Sequence, residues 1–379
     1  MKLFITSHSS RTGGGISVAK NLLKSFATVA PEHQYFITIP PELGYEELCG
    51  KYSSCLKYYS YKTAGKISRW YWETFELPQL IKQFQPDMIF NMANRGLATS
   101  HFPQATLIQD SHLVYPESLY GNVSFKERCS FRYHIKHLKK SLKSTNLVFC
   151  QTPVMEKRFK HIFGNFIKTA ICPNQFSFFV NTNNIVEYPK SLIAHKDKFK
   201  LFVLTRYYVH KNLEILIELF RKYQKQLNNV LVVLTIDEEH HPQAKKMLND
   251  IKKYGLQQNI ISVGSIPQNE LGNYYKNTNA LLLPTLLESF SGTYLEAMNF
   301  ETPILTSDMD FAHHICGDAA IYFDPFDVNS IYNAIIKLKE SPELARRMIE
   351  TGNKQKELFS TSWDDIAKNV IRELESIAR

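Results

Sequence analysis

Short apolar runs alternate along this chain with longer segments whose apolar positions recur every three or four residues. The short runs are mostly apolar, which is typical of strands covered on both faces. In the first half they fall at 3–5, 34–39, 88–91, 106–109, 146–150 and 170–174. In the second half they fall at 200–205, 230–236, 260–263, 280–283, 304–306 and 321–323. Strands that alternate with helices predict right-handed βαβ units and parallel sheets.

The helical pattern predicts helices at 16–27, 154–163, 212–227, 242–254, 329–339, 342–359 and 363–378. The rhythm stops near residues 176–198, where Asn, Thr and a Tyr-Pro pair indicate a linker. The pattern therefore predicts an α/β protein of two Rossmann-like domains, at 1–175 and 199–361. Ligands of open parallel sheets bind at the carboxyl ends of the strands, so we expect parallel sheets that face each other across an active-site cleft.

Composition and cysteine usage exclude several classes of protein. The 379 residues are 44% hydrophobic and 21% charged, and no apolar run reaches the roughly 20 residues of a membrane span. The first residues form a strand pattern rather than a signal peptide. Six scattered cysteines without a C-x-x-C pair argue against disulfides and structural zinc. We expect a cytoplasmic protein.

Charge is unevenly distributed. Residues 1–180 contain 22 Lys and Arg against 11 Asp and Glu, whereas residues 181–379 contain 23 against 25. A basic first half indicates an anionic partner. The richest segment, 125–143, has apolar residues at helical spacing and Lys or Arg elsewhere. It is either a helix on a membrane surface or an ordinary packed helix with a solvated basic face. An aromatic and basic groove pattern is lacking, which argues against nucleic acid.

Two carboxylates flank a small-residue turn in the second half. Glu288 and Glu296 lie on either side of Ser289–Gly292, between the strand 280–283 and a helical pattern. A helix N-terminus attracts phosphate, and carboxylates accept hydrogen bonds from sugar and ribose hydroxyls. The alternatives are a solvated connection or the acid and base of a glycosidase. Eight helical positions rise about 12 Å, more than the roughly 5–9.5 Å that hydrolases use, although the turn could shorten the distance.

Basic residues follow the first strand of the second half. Arg206 and Lys211 come just after 200–205, from where both can reach a diphosphate. Arg binds it as a bidentate fork and Lys as a point charge, so together they can stabilise a leaving nucleotide diphosphate without a metal. In the first half, Gly13–Gly15 open the first helix and allow close approach of a ligand, or form only a flexible turn.

Two further groups of residues offer weaker signals. Asp110 and His112 follow a first-half strand and could orient or deprotonate an acceptor hydroxyl, or serve as a cap and a surface histidine. Asp308-Met-Asp310 matches a short metal-binding pattern, but the nearby His and Cys residues fit no familiar ligand spacing. We therefore expect no metal and no other cofactor.

These motifs together resemble the family-4 retaining glycosyltransferases of the GT-B fold, with their E-x7-E pair. The second half matches nearly throughout, and the first half more loosely. The matching residues are Thr205-Arg206, Lys211-Asn212, Gly264, Pro284-Thr285, Glu288, Glu296-Ala-Met298, Thr302-Pro303, Phe323-Asp-Pro325, and, in the first half, the glycine loop, Gln109-Asp110, Tyr115-Pro116 and Pro173-Asn174.

The resemblance implies residue roles. Arg206 and Lys211 would hold the donor diphosphate, Glu288 would contact the transferred sugar and Glu296 the ribose. Asp110 would act on the acceptor side. The other implied donor-binding residues are Gly14 and Gly15 of the first domain, Ser265 beside the base, and the backbone of Phe290, Ser291, Gly292 and Thr293. The family uses no essential metal and retains anomeric configuration, with the leaving phosphate as base. Its last helix, here 362–379, commonly crosses back to the first domain.

Three positions depart from the family pattern. Thr205 replaces a glycine, Ser289-Phe-Ser291 replaces Gly-Phe-Gly, and Gln109 replaces the histidine before Asp110, which leaves His112 as a substitute.

The sequence thus predicts a retaining transferase that moves a hexose, with mannose as one candidate, from a nucleotide diphosphate sugar to a glycan or lipid-linked saccharide. The basic first domain favours an acceptor at the inner membrane face, as in bacterial surface-polysaccharide synthesis (O-antigen, lipopolysaccharide or capsule). The alternatives are a sugar-nucleotide epimerase of the same fold and, ranked last, a non-catalytic binder of anionic polymer.

Overall fold

The computed structural model of the chain describes residues 1–11, 13–62, 65–92, 94–175 and 187–378. Within them the strands form two sheets, and every pairing in both is parallel. The first sheet comprises β1 Lys2–Thr6, β2 Gln34–Ile39, β3 Leu56–Ser60, β4 Met88–Asn91, β5 Gln104–Ile108, β6 Leu147–Cys150 and β7 Lys168–Ile171. The second comprises β8 Phe199–Val203, β9 Val230–Leu234, β10 Ile260–Ser262, β11 Ala280–Leu283, β12 Ile304–Ser307 and β13 Ala320–Phe323.

The helices lie between these strands and after the last one. They are α1 Gly13–Val29, α2 Tyr45–Lys51, α3 Lys66–Tyr71, α4 Leu77–Phe84, α5 Phe125–Ser141, α6 Pro153–Phe163, α7 Ile215–Tyr223, α8 Pro242–Lys253, α9 Leu271–Lys276, α10 Gly292–Asn299, α11 Asp310–Cys316, α12 Val328–Lys339, α13 Pro342–Glu357 and α14 Trp363–Ala378. A π-helical turn, Trp72–Glu76, joins α3 to α4. The expected α/β architecture with two Rossmann-like parallel sheets is confirmed.

Strand order locates the expected ligand sites. The first sheet runs β3-β2-β1-β4-β5-β6-β7 and the second β10-β9-β8-β11-β12-β13. The winding direction therefore reverses between β1 and β4, and between β8 and β11. In open parallel sheets, ligands bind at the carboxyl ends of the strands beside such a reversal. The candidate ligand-binding residues are therefore those that follow β8 and β11, and those that follow β1 and β4.

The chain divides into two compact units. The first contains the described residues of Met1–Val114, Phe125–Gln175 and Thr361–Arg379, and the second Tyr115–Ser124 and the described residues of 176–360. Of the predicted linker 176–198, residues 176–186 lie outside the described residues. The remainder belongs to the second unit and includes a 3-10 turn, Lys190–His195, with Leu192 buried.

Helix α14 returns to the first unit after the second unit is complete. Its apolar side chains recur at helical spacing, and Ile366, Val370 and Leu374 are buried in the core of the first sheet with Leu22 of α1. An amphipathic helix of this kind is stabilised mainly by the face that it buries. The last helix therefore completes the hydrophobic core of the first unit.

Candidate functional site

A turn after β8 is fixed against the loops that follow β11 and β13. Asn212 adopts a left-handed backbone conformation, φ 56°, and its side chain donates to the Pro325 carbonyl at 2.8 Å. The Leu286 N–H donates to the His210 carbonyl at 2.8 Å. These bonds hold the turn Val209–Lys211 beside the residues that precede α10.

Lys211 and Glu288 form an ion pair at this point. The Lys211 Nζ donates to Glu288 Oε1, and the two side chains are only 15% and 12% exposed. A charge this far removed from water needs a partner, so each residue compensates the burial of the other. The structure thus brings together one predicted cation and one predicted carboxylate at the winding reversal of the second sheet.

The N-terminus of α10 lies just beyond Glu288. Phe290 and Ser291 are buried, and Gly292 and Thr293 are half-buried. Ser291 occupies the N-cap position, but its side chain makes no capping hydrogen bond. Ser291 therefore does not cap the first N–H groups of α10, which present a partial positive charge.

Glu296 lies within a buried network rather than in solvent. The Tyr275 hydroxyl donates to Glu296 Oε2 at 2.9 Å, and the Tyr275 ring stacks on Phe300 with centroids 5.3 Å apart. Burial raises the pKa of Glu296, and the hydrogen bond from Tyr275 only partly offsets it. Sequence reasoning missed Tyr275, whose position beside Glu296 depends on the packing of α9 against α10.

A second polar cluster follows β9 and β10. Asp237 Oδ2 accepts from the Ser265 N–H at 3.1 Å and from its hydroxyl at 2.6 Å, and lies 3.3 Å from His240 Nε2. Gly264 has φ +73°, and a Cβ there would lie 2.8 Å from Asp237 Oδ1. The predicted base loop is therefore held by Asp237, which the sequence motifs did not single out. The rule that strand ends carry ligand residues could have found it.

Arg206 is exposed after β8, and its guanidinium has no hydrogen-bond or ion-pair partner among the residues that the structure describes. Burial lowers the pKa of His240, and the positive charge of Arg206 lowers it further. Arg206 is thus a cation close to the Asp237 cluster and available to an anion.

In the first unit, Gly14 and Gly15 lie in the first turn of α1. No atom lies within 4 Å of the positions that their Cβ atoms would occupy. The backbone is therefore open at these two residues, as close approach by a ligand requires.

Asp110 and His112 form a pair after β5. Asp110 Oδ1 accepts from His112 Nδ1 at 2.9 Å and from the His112 backbone N–H at 3.0 Å, and the His112 ring stacks on Phe131. Asn94 Oδ1 accepts from the Asp110 N–H at 2.9 Å. Burial alone would raise the pKa of Asp110, but the hydrogen bond and charge of His112 outweigh it and lower the pKa. Asp110 therefore caps its own turn and also remains an ionised hydrogen-bond acceptor.

The other predicted groups are placed as follows. Asp308 pairs with His313 at 2.6 Å, and Asp310 accepts from the Tyr115 hydroxyl at 3.0 Å. Among the residues that the structure describes, no group of three or more His, Cys, Asp or Glu is arranged to hold a metal ion. Metal independence stays a prediction.

The basic helix α5 packs through its apolar face. Leu138 is buried, as is Leu142 in the turn after the helix, and Phe131 and Ile135 are half-buried, whereas the lysines of α5 are exposed. This arrangement favours the packed-helix alternative over a helix that inserts its apolar face into a membrane. In the described part of the chain, no helix combines the length and apolarity that crossing a bilayer demands.

Comparisons with known proteins agree with this architecture. Residues 184–355, just under half of the chain, match the family described as Glycosyl transferases group 1. The O-antigen chain mannosyltransferase RfbU of Salmonella typhimurium is 26% identical over 138 residues, 36% of this chain and 38% of that protein. The chain spans at most 59% of the length of the curated relatives that it matches.

Solved structures also resemble the chain over nearly its whole length. Sucrose-phosphate synthase from Thermosynechococcus elongatus has a TM-score of 0.74 at 15% identity, with 99% of each chain covered. Anabaena Alr3699/HepE in complex with UDP-glucose has a TM-score of 0.71 at 13% identity, covering 99% of this chain and 100% of that one. These likenesses show that the chain has a GT-B fold. Its second unit carries the match to group 1.

Proposed function

We propose that the chain is a retaining glycosyltransferase that moves a hexose from a nucleotide diphosphate sugar to a glycan or lipid-linked saccharide. The Lys211–Glu288 pair beside the uncapped N-terminus of α10 carries this proposal. A cation, a carboxylate and backbone N–H groups meet there at the carboxyl ends of β8 and β11. The cation and the backbone N–H groups can bind the leaving diphosphate, and the carboxylate can accept hydrogen bonds from the sugar hydroxyls.

The donor contacts follow from this arrangement. Lys211 and Arg206 neutralise the diphosphate as charge develops on it, so no step requires a metal ion. Glu288 accepts hydrogen bonds from the transferred sugar, and Glu296 accepts them from the ribose. The loop at Ser265 lies beside the base. HepE, described with UDP-glucose, is a structural relative that binds a donor of this chemical class.

Asp110 is proposed to orient the acceptor hydroxyl rather than to deprotonate it. Its lowered pKa makes it a weak base but a good hydrogen-bond acceptor. The proton would then pass to the leaving phosphate, as retention by attack from the same face requires. The name of the relative RfbU favours mannose as the sugar and a bacterial surface polysaccharide as the product.

The donor is tested first with the full chain. Thermal unfolding is followed with GDP-, UDP-, dTDP- and CMP-sugars, because a ligand at 100 times its Kd stabilises the folded state by about 2.7 kcal/mol. One nucleotide sugar is expected to raise the unfolding temperature. If none does at millimolar concentration, the donor assignment is wrong.

Glu288→Gln and Lys211→Met then test the site with that donor. Transfer to a bacterial lipid-linked glycan fraction should fall at least about 100-fold in each. Lys337→Met, an exposed lysine of α12, is the matched control and should leave transfer unchanged. Full transfer by Glu288→Gln contradicts the proposal. Conversion of the donor sugar without incorporation into acceptor would instead support an epimerase.

A further inference from the structure

Large apolar side chains are exposed along one face of the helical segment 66–84. This outer aromatic face consists of Ile67, Trp70, Tyr71 and Phe75, which are 83%, 55%, 53% and 48% exposed. Their spacing of three, four and eight residues from Ile67 places them on one side of the helix. A contiguous exposed apolar surface of this kind marks an interaction site more often than scattered single residues do.

The opposite face of the same segment is firmly packed. Trp72, Leu77 and Ile81 are buried in a cluster with Phe4 of β1, and the Trp72 ring stacks on Tyr61 with centroids 4.1 Å apart. The segment is therefore anchored to the core of the first unit. The exposed side chains of the outer aromatic face are therefore not members of this buried core.

The stretch of chain that contains the face is basic. Residues 57–84 contain five Lys and Arg against two Glu. Glu73 is already paired with Arg69 and Arg95. Lys57, Lys62 and Lys82 are exposed. The outer aromatic face thus belongs to a stretch of the first unit that also carries exposed lysines.

We propose that the outer aromatic face docks the protein onto an anionic lipid bilayer. Amphipathic aromatic rings settle at the level of the lipid headgroups, and lysines beside them pair with anionic headgroups. The docking does not require the proposed transfer reaction and rests on it only for its purpose, which is access to a lipid-linked acceptor. In this arrangement helix α5 attracts the bilayer through its exposed lysines and does not insert its apolar face into it.

Two other occupants fit the face less well. A saccharide platform presents a flat ring face, but Phe75 stands edge-on to Trp70 at 89° and is tilted by 46° to Tyr71. Ile67, the most exposed of the four, offers no ring at all. A second copy of the chain would bring the same lysines towards one another, and like charges repel.

The test uses the full chain and vesicles of phosphatidylcholine with or without phosphatidylglycerol. Co-sedimentation should require phosphatidylglycerol and weaken in high salt. Trp72 is buried and Trp363 half-buried, so Trp70 is the exposed tryptophan of the three. Its fluorescence should shift to shorter wavelength on binding. Trp70→Phe should remove the shift and retain most of the binding.

Removal of the apolar face should abolish docking without unfolding the protein. The triple variant Ile67→Ser/Trp70→Ser/Phe75→Ser is expected to bind vesicles about 100-fold more weakly. Phe166→Ser, 70% exposed in the same unit, is the matched control and should bind like the unsubstituted chain. The triple variant should still show the thermal shift with the nucleotide sugar. That separates loss of docking from failure of the proposed function.

Five results would overturn the proposal. They are vesicle binding unchanged in the triple variant, equal loss in Phe166→Ser, and equal loss in Phe125→Ser at the start of α5. The fourth is a Trp70 shift with soluble oligosaccharide but not with vesicles. The fifth comes from sedimentation without lipid. If the unsubstituted chain is a dimer and the triple variant is a monomer, the face belongs to an interface with a second copy.

Discussion

Glu73 links the helical segment 66–84 to the carboxyl ends of β1 and β4. Its Oε1 accepts from His8 Nε2 at 3.1 Å and from Arg69 Nε at 2.7 Å, and its Oε2 accepts from Arg95 Nη2 at 2.8 Å. The side chain is only 22% exposed. Glu73→Gln removes the charge with little change in volume, so the substitution isolates the electrostatic contribution of this carboxylate.

The pKa of Glu73 gives the size of its electrostatic contribution to stability. Burial alone would raise the pKa of Glu73, but the hydrogen bond from His8 and the charges of Arg95 and Arg69 lower it from 4.5 to about 2. At about 1.36 kcal/mol per pKa unit, the ionised carboxylate stabilises the fold by about 3 kcal/mol. Because the folded pKa is the lower one, this stabilisation is complete above pH 4.5. It is lost as the pH falls towards about 2.

Urea unfolding followed by tryptophan fluorescence measures the effect, since Trp70 and Trp72 lie just before Glu73 in the helical segment. Glu73→Gln should lower the free energy of unfolding of the first unit by about 3 kcal/mol at pH 7 and by about half that at pH 3. Glu76→Gln, an exposed residue of the same π-helical turn, is the control and should change it by less than about 0.5 kcal/mol. A loss below about 1 kcal/mol, or an equal loss at both pH values, would refute the reasoning.

Two further predictions concern the second unit. Tyr275→Phe removes the hydrogen bond to Glu296 and should weaken donor binding about fivefold. Burial raises the pKa of Glu296, and the hydrogen bond from Tyr275 partly offsets this rise. Loss of that hydrogen bond should raise the pKa further, so that binding is lost at a higher pH in acid. Calorimetric titration at several pH values checks both effects. Gly264→Ala should destabilise the protein by at least about 2 kcal/mol, and Gly255→Ala by about 1, because both have positive φ but only the first would meet Asp237. Equal losses in chemical denaturation would contradict this explanation.

The strands could be read from the sequence because parallel strands are covered on both faces. The runs at 34–39, 88–91 and 280–283 match β2, β4 and β11 at both ends. Strand β3 was not predicted, since it is an edge strand with four of its five residues exposed and has no apolar run to reveal it. Helix boundaries were closest where a cap specifies them, as at Thr152 before α6 and Ser341 before α13.

Site residues could be predicted only where they directly follow a strand in the sequence. Glu288, Arg206 and Lys211 follow strands that adjoin the winding reversal, so order along the chain was enough to single them out. The Glu73 cluster was not foreseeable, because its carboxylate comes from a helical segment while two of its partners, His8 and Arg95, follow β1 and β4. Such a cluster is defined by which strands are neighbours, and periodicity does not give that order.

Glu288 and Glu296, which look alike in the sequence, have opposite environments in the structure. Glu288 is neutralised by a lysine, whereas burial raises the pKa of Glu296, which has a tyrosine hydroxyl as its partner. An acid and base pair on one sugar would face a common space, but these carboxylates have separate partners.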